Sequence, residues 1–118
     1  MGRMTGADRF QVRSVLDRLE ADGGYEIVHE SPNVEVGVYV LVAPEPDRQQ
    51  PHAYDEVYVV LEGRGVLTVE GEDFRLTEGD AIFVPAGAEH QFIGYEELSV
   101  LVFFAKTTGS GERSMLIR

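Results

Sequence analysis

Cysteine and tryptophan are absent from the 118 residues, and only three histidines occur. Without cysteine there can be no disulfide, thiolate metal site or cysteine nucleophile. Stability must then come from an apolar core, which a chain of this length can build as one domain, since domains cluster near ~100–150 residues. Basic residues are also scarce. Ten Lys and Arg stand against 21 Asp and Glu, a formal net charge of −11 spread along the chain. Phosphate backbones and anionic lipid surfaces are bound by clustered Lys and Arg. Nucleic acid and membrane surfaces are therefore not expected as partners, and the acidity is read as a device for solubility. No stretch approaches the ~18 apolar residues of a membrane span. The opening "MGRMTGADRF" has no signal-peptide core. The expectation is a soluble, cytoplasmic protein.

Between Asp8 and Asp22, Phe10, Val12, Val15, Leu16 and Leu19 recur at helical spacing, and Gly23-Gly24 follows as a stop. Residues 1–24 thus form a short helical segment. After it the chain reads as strands: "YEIVHE", "VEVGVYVLVA", "EVYVVLEG", "GVLTVEG", "EDFRLTE", "DAIFVPA", "HQFIGY" and "LSVLVFFAK". Short strands punctuated by Gly, Pro, Asp and Asn predict an antiparallel sandwich or barrel over residues 25–106. The strand "VEVGVYVLV" is apolar on nearly both faces. One face must look inward, and the other must be covered by a second sheet or a second subunit. A homodimer is expected for that reason. Residues 107–118, "TTGSGERSMLIR", form a tail that begins with linker composition and ends in Met115, Leu116 and Ile117.

Histidines and a glutamate at strand spacing carry the chemistry. Gln50 and His52 share strand parity, Glu56 can join them across the "AYD" bend, and His90 follows a Pro-Ala-Gly turn. Imidazole and carboxylate converging from two segments are what a hard or borderline divalent metal requires. His52, three residues, Glu56, six residues and Gly63 are followed, after fifteen intervening residues, by Gly79, five residues, Pro85-Ala86-Gly87, two residues and His90.

These two motifs, within Gln50–Gly94, resemble those of the cupin superfamily. The resemblance implies a single-domain, all-β jelly-roll β-barrel with the short N-terminal helix outside it. It also implies a bound divalent metal, Fe, Mn, Ni or Zn, held by His52, Glu56 and His90. Two positions depart from the pattern: Gln50 stands where the family usually has a first histidine, and Gly94 where it has asparagine. Glutamine at the ligand position is similar to the zinc site of the phosphomannose isomerases, and its neutral amide oxygen makes Gln50 a weak or water-bridged fourth ligand. Two histidines and one carboxylate are also the set that holds ferrous iron with open positions.

Aromatic residues line such cavities and also fill cores. Tyr58 shares parity with Glu56, and Phe92 with His90, so both are expected to face the cavity, with Tyr54 at its mouth and Tyr39 a further candidate. His29 matches no motif position and reads as an ordinary strand residue. Asp55 and Asp80 read as bend and turn residues, and Glu62, Glu70 and Glu72 as solvated. No Lys or Arg is fixed beside the ligands by spacing. The first functional reading is a metal-dependent enzyme, dioxygenase-like, acting on a small polar organic molecule. The alternatives are a metal-dependent isomerase or epimerase, and a non-catalytic module that binds a small ligand.

Overall fold

The computed structural model describes residues 6–44, 46–47 and 51–106. Gln50, expected as the fourth ligand, and the expected 107–118 tail lie outside the described residues. The element order is α1 (Val12–Leu19), β1 (Gly24–Glu30), β2 (Val34–Val42), β3 (Asp55–Val69), β4 (Glu72–Thr77), β5 (Ala81–Val84), β6 (His90–Ile93) and β7 (Glu97–Ala105).

Six to eight strands are expected and the described residues form seven, with the "EVYVVLEG" and "GVLTVEG" segments joined in one continuous strand, β3. Its glycines mark a change of partners and not a break. From Asp55 to Gly63 it pairs with β7, and from Glu56 to Val59 also with β5. From Arg64 to Val69 it pairs with β4, and from Val66 to Val69 also with β6. The crossing needs Gly63: its φ is +82°, and a Cβ there would overlap the carbonyl oxygen of Glu97. A register shift between Val60 and Glu62 bends the strand just before it. The β3–β4 hairpin turns on Glu70 and Gly71, both at positive φ, the pattern of a two-residue type I′ connection.

The ladders run β1-β2-β7-β3-β4, with β5 and β6 also on β3. Every one is antiparallel, and none among the described residues joins β1 to β4, β5 or β6. The chain is therefore mostly β with one short helix, as expected, but hydrogen bonds do not close the expected barrel. Two layers share β3 and face each other. Tyr58, Val60, Val100 and Val102 from one layer meet Leu67, Leu76 and Phe92 from the other in a single buried cluster.

Among the described residues, the outer face of β2 is covered at Val38 and Val40 by α1 and not by a second sheet: Val15 and Leu16 pack there to form a cluster of their own. The helix is shorter than the 8–22 pattern suggests. It has no side-chain N-cap at Gln11, and an unaided helix of this length is marginal, so the apolar face holds it. Fully burying a Val or Leu side chain contributes roughly 1.5–3 kcal/mol. Leu16 is 5% exposed, and Leu16→Ala is expected to lower unfolding free energy by about 2–5 kcal/mol in chemical denaturation. A loss below ~1 kcal/mol would mean that the helix is loosely attached.

Candidate metal centre

The two motif segments are tied together by their backbones before any side chain takes part. The Gly87 amide donates to the His52 carbonyl oxygen at 2.8 Å, and the Ala86 amide donates to Asp55 Oδ1 at 2.9 Å. The Glu89 amide donates to Glu70 Oε2 at 2.7 Å. Asp55 and Glu70, expected as a bend residue and a solvated residue, thus fix the loop that delivers His90. Asp80 shapes its turn as expected, accepting from the Thr77 amide at 2.8 Å.

Glu56 is the second residue of β3, with Phe104 of β7 opposite on one side and Val84 of β5 on the other. His90 opens β6. Nε2 of His90 lies 3.1 Å from Glu56 Oε1, and Nε2 of His52 lies 4.0 Å from the same oxygen. One donor atom from each of the three residues falls within 4.8 Å of the others. Glu56 is 2% and His90 6% exposed, whereas the His52 side chain is 32% exposed and packs edge-on against Phe104.

Two features show that the donors fit a cation. Nδ1 of His90 lies 2.9 Å from the Ala88 carbonyl oxygen. A carbonyl only accepts, so Nδ1 carries a hydrogen and Nε2 is the nitrogen turned to the cluster. The second feature is Glu56 Oε2, which is buried and has no hydrogen-bond partner among the described residues. A buried carboxylate oxygen left so is costly, and a divalent ion beside it would remove that cost. Burial works to lower the His90 pKa, but the hydrogen bonds to Glu56 and to the Ala88 carbonyl, with the charges of Glu56 and Asp47, carry it above the ordinary value.

A cavity of about 730 Å³ adjoins the cluster, and Tyr39, His52, Tyr54, Glu56, Tyr58 and Phe104 are among its walls. Three of the four expected aromatic residues thus line it. Phe92 does not: it is 1% exposed and stacks edge-on behind Tyr58 with ring centroids 4.9 Å apart. No Lys or Arg stands among the described lining residues. His29 lies apart from the cluster, 3.7 Å from Asp8.

Sequence reasoning misses Asp47, which is 2% exposed. Its Oδ1 accepts from the Tyr39 hydroxyl at 2.8 Å, its Oδ2 from the Phe92 amide at 2.8 Å, and its carbonyl from Gln91 Nε2 at 2.6 Å. Asp47, five residues before His52, is thereby pinned to the strand that starts with His90. No spacing pattern distinguishes this acid from the others in the chain. Only its burial does.

The profile of the family described as "Cupin domain" matches residues 38–104. An uncharacterized protein of Streptomyces coelicolor is 44% identical over 96 residues, covering 76% of this chain and 91% of that protein. The acireductone dioxygenase of Bacillus subtilis is 33% identical over 69 residues, 52% of this chain and 39% of the enzyme. Among solved structures, an RmlC-like cupin family protein of Methanocaldococcus jannaschii, described as a double-stranded beta-helix fold, superposes with a TM-score of 0.69 at 20% identity. That superposition covers 88% of this chain and 93% of the other.

The raised His90 pKa gives the metal-free protein one pH-dependent contribution to stability. The folded value lies above the unfolded value of ~6.5, so the protonated imidazole paired with Glu56 adds stability that is fully present below ~6.5. That stability is lost as pH rises through the raised folded value. A chelator-stripped sample is expected to show this decline in thermal melts, and His90→Gln to lack it. The same proton competes with a cation for Nε2, so divalent affinity is expected to fall on acidification from above the ordinary histidine range.

Proposed function

The chain belongs to the cupin family, and from that membership we propose that it is a metal-dependent enzyme, dioxygenase-like in its chemistry, acting on a small polar organic molecule. The observation that carries this reading is the orphaned Oε2 of Glu56, in a cluster of two imidazoles and one carboxylate on the wall of a cavity of about 730 Å³. His52, Glu56 and His90 would hold the ion. Three protein ligands leave positions open, as catalytic sites do and closed structural sites do not. Among Fe, Mn, Ni and Zn, two histidines and one carboxylate favour ferrous iron. Similarity to an acireductone dioxygenase over 69 residues supports the same class.

When bound, such an ion supplies open positions where a substrate oxygen and dioxygen can be activated. The protein does the rest. Ala88 holds His90 in one orientation, and the ladders on both sides of β3 hold Glu56. Tyr58 and Phe104 keep water from the inner wall, which strengthens electrostatic interactions there. His52, the more exposed donor, also lines the cavity, where a substrate bound to the ion would meet it. A phosphorylated substrate, which the isomerase alternative often requires, finds no cationic partner among the described lining residues.

The test is reconstitution of the chelator-treated chain with Fe²⁺, Mn²⁺, Ni²⁺ or Zn²⁺. Oxygen uptake is then followed over catechols, flavonols, thiols, diketones and keto acids. Uptake is expected with the iron form. Glu56→Gln should lower metal affinity by more than about 100-fold, beyond the usual effect of losing an outer partner, and His90→Ala should abolish tight binding. If every metal form is inert while a small molecule still raises Tm, the binding-module reading replaces this one.

We further propose a homodimer. Phe83 and Phe103, 58% and 37% exposed, flank Val57 in register on the outer face of the sheet, and a symmetric pair is the commonest way to cover such a row. Sedimentation is expected to give a dimer for the wild type and a monomer for Phe83→Glu. A wild-type monomer at micromolar concentration would refute it.

A further inference from the structure

We infer that Tyr58 is not simply a piece of cavity wall but a further oxygen donor to the metal centre, an inference that rests on the metal reading above. Tyr58 follows Glu56 by two residues on the inner face of β3. Its backbone is fixed on both sides, opposite Val102 of β7 and Ile82 of β5. The ring is 1% exposed and set against Phe92 at 69°. A tyrosine has only two side-chain torsions, so packing that fixes the ring also fixes the line along which the hydroxyl points. It points at the metal nitrogen: the hydroxyl oxygen lies 3.1 Å from Nε2 of His90.

That distance equals the 3.1 Å between the same Nε2 and Glu56 Oε1. Two ligands about 2.1 Å from one ion and at right angles to each other stand about 3.0 Å apart. The oxygens of Glu56 and Tyr58 each stand from Nε2 at the distance of a neighbouring ligand. Nδ1 is committed to Ala88, so a cation can reach His90 only through Nε2. Whichever hydrogen now bridges Nε2 to these oxygens, the cation takes its place.

If Tyr58 served only to fill the wall, phenylalanine would do. A hydroxyl in an otherwise apolar cluster is costly unless it is bonded. Here it is bonded to the atom that meets the ion. Phenolate oxygen is a hard anionic donor of the kind that ligates ferric iron, as tyrosine does for haem in catalase. On binding, the iron–oxygen bond forms and the phenolic O–H breaks. Its proton leaves through the cavity to solvent, and the iron keeps its oxidation state.

The test uses the full chain, stripped with chelator and loaded with ferric iron. Iron held only by imidazole and carboxylate lacks the visible charge-transfer band that a phenolate ligand gives. The wild type is expected to show that band. Tyr58→Phe should lose it while its iron content stays within about twofold of the wild type, and Tyr54→Phe should keep it. Resonance Raman excitation within the wild-type band should enhance phenolate ring modes, a readout that needs no variant to fold. Stoichiometric iron without the band, or a band that survives in Tyr58→Phe, overturns the role of Tyr58 and leaves the three-ligand reading standing. Failure of the wild type to bind any of the metals overturns both.

Discussion

Continuity of β3 is the constraint on which the rest of the structure depends. One strand from Asp55 to Val69 supplies edges to four others, β7 and β5 over its first half and β4 and β6 over its second. Both layers of the core exist because this strand passes from one to the other. Gly63 permits the passage, since no side chain fits against the Glu97 carbonyl at that φ. The pairing of Glu56 with His90 inherits its geometry from the same strand. Glu56 lies near the start of the first half, and His90 opens the strand paired with the end of the second. Bending β3 at its glycines is what folds one half over the other and brings the two within 3.1 Å.

Electrostatics supplies a second layer of organisation. A carboxylate at 2% exposure is destabilising by itself, and the His90 imidazole answers only one of its oxygens. The fold tolerates this because the surrounding main chain is already satisfied by sheet ladders and by the Asp55, Glu70 and Asp47 contacts. Loops around the site are held by acidic side chains accepting from backbone amides. That gives the many carboxylates of this chain a use besides solubility. Glu70 and Asp55, read from the sequence as a solvated and a bend residue, are acids of this kind.

What was legible in the sequence follows from what leaves a local signature. Strand parity placed Glu56 and Tyr58 on one inner face, and the turn glycines at 79 and 87 placed His90 at the head of its strand. Each of these depends only on neighbours in the chain. Strand continuity through Gly63 and Gly65 was not legible, because the same glycines that end a strand also let one bend, and only the partners decide which occurs. The cover on β2 was assigned to another sheet or subunit because both faces of its strand are apolar; that α1 lies over Val38 and Val40 depends on where Val15 and Leu16 pack, which the helical spacing does not carry. Asp47 and the position of Phe92 behind Tyr58 depend on contacts across 45 and 34 residues of sequence, which periodicity does not carry.

The donors differ in how firmly they are held, and this difference orders their roles. Glu56 and His90 sit on paired strands at or below 6% exposure, while His52 lies in the loop before β3 with about a third of its side chain exposed. Its Nε2 stands 4.0 Å from Glu56 Oε1, farther than the 3.1 Å of His90. The His52 backbone is bonded to Gly87, so any adjustment falls to its partly exposed ring, whereas moving Glu56 or His90 would disturb sheet ladders. Under the metal reading proposed above, the strand-borne pair would fix where an ion sits, and the His52 ring would adjust to its size and to what else it binds. A site with one such ligand beside a cavity could take a substrate oxygen without straining the fold, the property that separates an open centre from a closed structural one.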